Sequence, residues 1–225
     1  VETLVLKVAL APALVVGVTL AARRWGSRVG GMLIALPVVA GPILLVITLE
    51  HGEVFGARAA RGALLGVVAL SAFCVAFAAA ATRMRWPAAL LIGWAAYAGV
   101  AACGSRWDAP PLAGLATALA ALLVARAFFR RDDHTDALSL SRPPWDLYAR
   151  AGATAALVIV LTTAAGALGP AVSGVLTPFP IAASVLAAFT LAHDGPAASL
   201  AMLRGFVVAL PGFAAFFFAV AVALG

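Results

Sequence analysis

Eight apolar runs, at about 4–22, 29–49, 62–81, 86–103, 109–129, 147–168, 172–192 and 205–224, take up most of this chain. Each is close to the ~20 residues that a helix rising about 1.5 Å per residue needs to cross a hydrocarbon layer of about 30 Å. The fold this predicts is an all-α polytopic membrane protein with about eight transmembrane helices. Composition agrees: of 225 residues 64% are hydrophobic and only 11% charged, far from the balance of a soluble domain.

A net charge of +6 would suit a nucleic-acid partner, but the 15 Lys and Arg are scattered in short groups between the apolar runs. Charges so placed act as orientation signals, and the partner they imply is the lipid bilayer. Arg23, Arg24 and Arg28 follow the first run, Arg83 and Arg85 the third, and Arg126, Arg130, Arg131 and Arg142 flank the end of the fifth. The intervening loops carry fewer: Arg58 and Arg61, then Arg106, then none between runs six and seven. The positive-inside rule therefore puts the odd-numbered loops in the cytoplasm and both termini outside, in a multi-pass protein of a bacterial inner membrane.

Sliding the sequence against itself at an offset of 143 aligns residues 4–82 with 147–225 without a gap, at 21 identities in 79 positions. An alanine-rich composition would give roughly ten by chance. The matches include Gly26 with Gly169, Gly31 with Gly174, Pro37 with Pro180, Gly52 with Gly195 and Arg61-Gly62 with Arg204-Gly205. Spans one to three thus recur as spans six to eight, and the first run is expected to be retained rather than cleaved as a signal peptide. Five spans separate the two starts, an odd number, so the copies enter the membrane from opposite sides. The organisation predicted is 1–129 for the first copy with spans four and five, 130–146 for a cytoplasmic linker, and 147–225 for the second copy. Spans four and five have no counterpart, so a second copy of the chain or a partner subunit is expected to complete the arrangement.

Inverted repeats of this kind build secondary transporters, whose substrates bind near the midplane at discontinuous helices. The second run, LIALPVVAGPILLVITLEHG, is interrupted by Pro37 and by Gly41-Pro42, and the seventh by Pro178 and Pro180. A proline removes one backbone donor and frees the carbonyl a turn before it, which in hydrocarbon must be received by protein or by a water-filled cavity. Spans two and seven are therefore read as broken helices. Pro37, Gly41, Pro42, Thr177, Pro178, Pro180 and Ser184 are the candidate substrate-binding residues, the alternative being plain kinks satisfied by neighbouring helices.

Charged residues near span ends are candidates for gating or coupling. Lys7 and Arg150 occupy equivalent places just inside spans one and six, where their side chains are expected to snorkel to the interface, the alternative being a buried functional cation. Arg61 and Arg204 each precede a glycine that lets another backbone approach. Glu50-His51 and His193-Asp194 end spans two and seven, and a histidine beside a carboxylate can pass protons near neutral pH. The plainer reading is a solvated helix end closed by Gly52 or Gly195.

Cys74 and Cys103 have no metal spacing, and neither a phosphate-binding loop nor a hydrolytic motif occurs. No catalytic residue, metal or cofactor is expected, and the chain is not read as an enzyme. The function predicted is a transporter or permease for a small anionic or zwitterionic solute. The alternative is a membrane scaffold, assembly or lipid-handling subunit.

Overall fold

The apolar runs emerge as helices of unequal length, and the inequality shows how the chain turns corners. A computed structural model describes residues 2–35, 41, 44–45, 48–49, 52–104, 107, 110–129, 145–168 and 179–225, with backbone only at 2–10, 162 and 164–168. Among these residues the protein is all-helical. Its seven helices are α1 (Glu2–Trp25), α2 (Ser27–Ile34), α3 (Glu53–Ala81), α4 (Trp86–Gly104), α5 (Pro111–Phe129), α6 (Trp145–Leu168) and α7 (Ile181–Ala223). Four of them, α3, α4, α5 and α7, are long and apolar enough to cross a membrane.

At 43 residues α7 would rise about 65 Å if straight, twice the thickness of a bilayer core. It is not straight. Gly195 has φ 83° and ψ −179°, and the helix folds back there into two arms, 181–194 and 196–223. Ser199 Oγ donates to the Ala187 carbonyl at 3.1 Å, a bond between residues twelve positions apart. In a straight helix those residues would be about 18 Å apart. The two arms correspond to the apolar runs 172–192 and 205–224.

Gly52, which matches Gly195 in the sequence at the offset of 143, has φ 87° and ψ 168°, and Gly26 has φ 92° and ψ 161°. Only glycine readily occupies this region, because a Cβ would clash with the backbone. The corners leave little backbone unpaired. Gly52 N–H donates to the Thr48 carbonyl at 2.9 Å, and the Gly52 carbonyl accepts from Gly56 N–H at 3.1 Å. One residue thus ends one helix and starts the next, a turn suited to a medium that cannot solvate a loop. It also explains why α3 begins at Glu53 rather than near residue 62, where the apolar run starts.

The core is organised on α3, whose Leu64, Val67, Phe73, Cys74 and Phe77 are fully buried. α4 turns Ala89, Gly93 and Tyr97 inward, and α5 turns Gly114, Ala118, Leu122, Ala125 and Phe129, each a stripe of three- or four-residue spacing. Small residues recur where the packing is closest. A Cβ at Gly93 would lie 2.9 Å from the Phe73 ring. Large apolar side chains face outward instead, among them Leu91, Leu112, Leu123 and Val124. An outward apolar face of this kind is stable against lipid and a liability in water.

α2 crosses the second arm of α7 with the two backbones touching. A Cβ on Gly31 would collide with the Met202 carbonyl, and one on Gly205 with the Arg28 carbonyl. The close approach expected at the repeated glycines is met at Gly205; at Gly62 no described atom lies within 4 Å of where a Cβ would stand.

Candidate functional site: a buried arginine–aspartate–arginine triad

The first turn of α6 carries Asp146, where free backbone N–H groups and the positive end of the helix dipole favour a carboxylate. Arg150 lies one turn further on, the spacing that brings two side chains onto one face. Its Nε donates to both carboxylate oxygens, at 3.1 and 3.0 Å. Asp146 Oδ2 also accepts from Arg23 Nη2 at 3.0 Å, a side chain from the last turn of α1. From the first arm of α7, His193 brings Nδ1 within 3.8 Å of Asp146 Oδ1 and donates from that nitrogen to the Phe189 carbonyl at 3.0 Å.

Aromatic rings enclose the group. Arg150 Cζ lies 5.1 Å from the centroid of Phe189, within range of a cation–π contact. The His193 ring is 5.8 Å from both Phe189 and Trp145. The Asp146 and Arg150 side chains are each 1% exposed, whereas Arg23 is 25% and His193 35% exposed. The cluster therefore reaches solvent through Arg23 and His193 and has Arg150 at its closed end.

Charge and hydrogen bonding are both left incomplete. Two guanidiniums on one carboxylate make +2 − 1, a net +1 for the triad. Removing ions from water costs several kcal/mol each, recovered only when geometry and partners are good. An arginine fork normally meets a carboxylate through two parallel N–H groups. Here Nε donates to both Asp146 oxygens, and Arg150 Nη2 is buried with no hydrogen-bond partner among the described residues. Arg23 Nε is in the same condition.

Arg150 is buried, its guanidinium held by the carboxylate four residues back, at the helix end. The equivalent side chain of Lys7 lies outside the described residues. His193 stands at a glycine-closed helix end, as expected, but it faces the triad, and its neighbour Asp194 is only partly exposed. Arg61 lies elsewhere, next to the chain end at Gly225. Arg204 precedes Gly205, which touches the start of α2.

Two of the candidate substrate-binding residues, Pro180 and Ser184, lie together at a second place. Pro180 is buried and caps the start of α7, and Ser184, fully buried one turn on, accepts a hydrogen bond from Trp94 Nε1 at 2.9 Å. Phe179 packs against Trp94 and Tyr97 of α4, with ring centroids 5.5 and 5.4 Å apart. Gly41 lies in helical backbone against Phe216 of α7's second arm. α2 ends at Ile34, shortly before Pro37, as a helix approaching a proline should. Pro37, Pro42, Thr177, Pro178, Glu50 and His51 lie outside the described residues. Nine positions along one helical arm put Ser184 about 13 Å from His193, so the two places are distinct.

Asp146 and Arg23 carry the triad, and neither stands out as a candidate in the sequence. Asp146 falls one residue before the run starting at 147, and Arg23 reads as one of three orientation charges. The signal that could have found the pair is the Asp-x-x-x-Arg spacing at the opening of a helix. Comparison with protein-family models, with curated proteins and with solved structures finds no match for this chain.

Proposed function

We propose that this chain is a secondary transporter, a permease of a bacterial inner membrane for a small anionic or zwitterionic solute. In this reading it works by alternating access between inverted copies formed by spans one to three and six to eight. The observation that carries the reading is the buried triad. Within apolar helices, ionisable side chains withdrawn from water are costly and by default mark a substrate or ion path. This one joins α1, from the first copy, to α6 and α7, from the second.

Two further observations support it. Gly52 and Gly195, matched at the repeat offset, share one rare backbone conformation at a helix corner. Contacts also group residues as the loop charges do: Arg23, Asp146 and His193 meet at what would be the cytoplasmic end, and Gly56 and Arg61 lie beside Leu224 and Gly225, just past the end of α7. A second copy or a partner subunit would supply what the second repeat lacks.

One observation favours the alternative of a static scaffold or lipid-handling subunit: Ser184 is fully enclosed, with its hydroxyl engaged by Trp94. The two readings separate on whether that place opens. Single cysteines at Gly41 and Ser184, in a background lacking Cys74 and the exposed Cys103, react with membrane-impermeant thiol reagents if the protein alternates. If both stay inert under all conditions, the scaffold reading stands and the permease reading falls.

A further inference from the structure

The three side chains of the triad carry a net charge of +1, and two of its buried guanidinium nitrogens have no hydrogen-bond partner among the described residues. We infer that it is an oxyanion site, in which a carboxylate or phosphate group is held between Arg23 and Arg150 in competition with Asp146. The inference rests on the permease reading only in calling that anion the substrate.

The geometry supports it in three ways. First, both free edges belong to side chains already fixed by the same carboxylate: Arg150 Nη2 and Arg23 Nε have no hydrogen-bond partner among the described residues, while Arg150 Nε and Arg23 Nη2 are each 3.0 Å from Asp146 Oδ2. Arg150 is itself 1% exposed, so its unpaired edge is withdrawn from bulk water. Second, one added monoanion brings the triad's charge from +1 to zero, relieving the unpaired buried charge that makes such clusters unstable. A planar guanidinium presents paired N–H groups matched to carboxylate and phosphate oxygens, which selects an oxyanion over chloride. Third, there is an approach to the site, because Arg23 and His193 are partly exposed while Arg150 and Asp146 are not. Arg24, next to Arg23, lies outside the cluster, exposed and 5.9 Å from the Trp25 ring, so it serves as an internal control.

Asp146 then acts as a resident counter-anion. It keeps the two arginines paired when the site is empty and must yield part of its contacts when the ligand enters. Removing its charge should therefore tighten anion binding while destabilising the unliganded protein, the opposite of what a purely structural ion pair predicts for the ligand.

Oxyanions of this chemistry could arrive as free solutes or as phospholipid headgroups, and the test separates the two. The full chain is purified and placed in phosphatidylcholine nanodiscs, and its thermal stability is followed against inorganic phosphate, acetate and chloride at fixed ionic strength. A parallel series uses nanodiscs containing phosphatidylglycerol. Saturable stabilisation by phosphate or acetate over chloride identifies a free anion; stabilisation by phosphatidylglycerol alone identifies a headgroup. In either case Arg150→Gln abolishes the effect and Asp146→Asn tightens the apparent affinity about tenfold, the scale of one charge-assisted hydrogen bond. Should Arg150→Gln not fold, Arg23→Gln weakens the affinity by about the same factor, while Arg24→Gln leaves it unchanged. No stabilisation over chloride from any source overturns the inference, as does stabilisation insensitive to Arg23, Asp146 and Arg150. Binding without flux of the bound anion in proteoliposomes leaves the site standing and removes the permease reading alone.

Discussion

Arg23, near the end of the first helix, and Asp146, in the opening turn of a helix 123 positions later, are joined at 3.0 Å through Arg23 Nη2 and Asp146 Oδ2. That bond ties the two ends of α1 and α6 together and leaves Arg150 to share the same carboxylate. Breaking a buried pair by removing one partner typically costs about 3–5 kcal/mol, because the survivor is left buried and uncompensated. Asp146→Asn is expected to fall in that range. Arg23→Gln should cost less, since Arg23 is partly solvated. Reversible unfolding in mixed micelles measures both, and equal losses would contradict the ranking.

How much of this was legible in the sequence depends on the kind of interaction. The alternation of long apolar runs, and the corners at Gly52 and Gly195, follow from composition and from a repeat register that any reader can align. The triad does not, because which of Arg23 and Arg24 turns inward is set by the rotation of α1 about its own axis. That rotation is decided by packing against α2 and α6, which no local pattern encodes. Asp146 was hidden for another reason. Apolar runs are found by the absence of charge, so a carboxylate in a helix's first turn is assigned to the linker before it.

Gly195 and Gly52 are expected to tolerate no side chain. Forcing a non-glycine residue into their backbone region costs about 1–3 kcal/mol. Gly52→Ala and Gly195→Ala should each lower stability by that amount, although neither Cβ would meet any atom within 4 Å. A neutral result at both positions would show that the corners relax without cost.

Gly62 and Gly205 match in the sequence at the offset of 143 yet should respond in opposite directions. Gly205→Ala drives a methyl group into the Arg28 carbonyl, and overpacking of a rigid contact costs about 1–3 kcal/mol or more. Gly62→Ala meets open space inside a helix and gains up to about 1 kcal/mol of helix propensity. Thermal unfolding of the two variants side by side gives the sign of each.

Trp94 and Ser184 should couple. The indole N–H to hydroxyl bond at 2.9 Å has both partners out of bulk water, and a bond of this kind contributes about 0.5–1.5 kcal/mol net. Trp94→Phe, Ser184→Ala and the double variant form a cycle whose interaction energy should lie in that range. A value near zero would mean that the bond is not formed in the membrane.

A reporter fused after Gly225 should be exposed outside the cytoplasm, with a second reporter in the 130–146 segment on the cytoplasmic side. Finding both on one side would remove the inverted arrangement on which the transport reading depends.

The most direct measurement is of current. Proteoliposomes on a solid-supported membrane are exposed to rapid concentration jumps of monocarboxylates, dicarboxylates and phosphate against chloride. Net movement of an anion through the wild-type protein gives a transient current for at least one oxyanion class, lost in Arg150→Gln and retained in Arg24→Gln. Wild-type currents no larger than those of protein-free liposomes, across all three classes, would contradict the account.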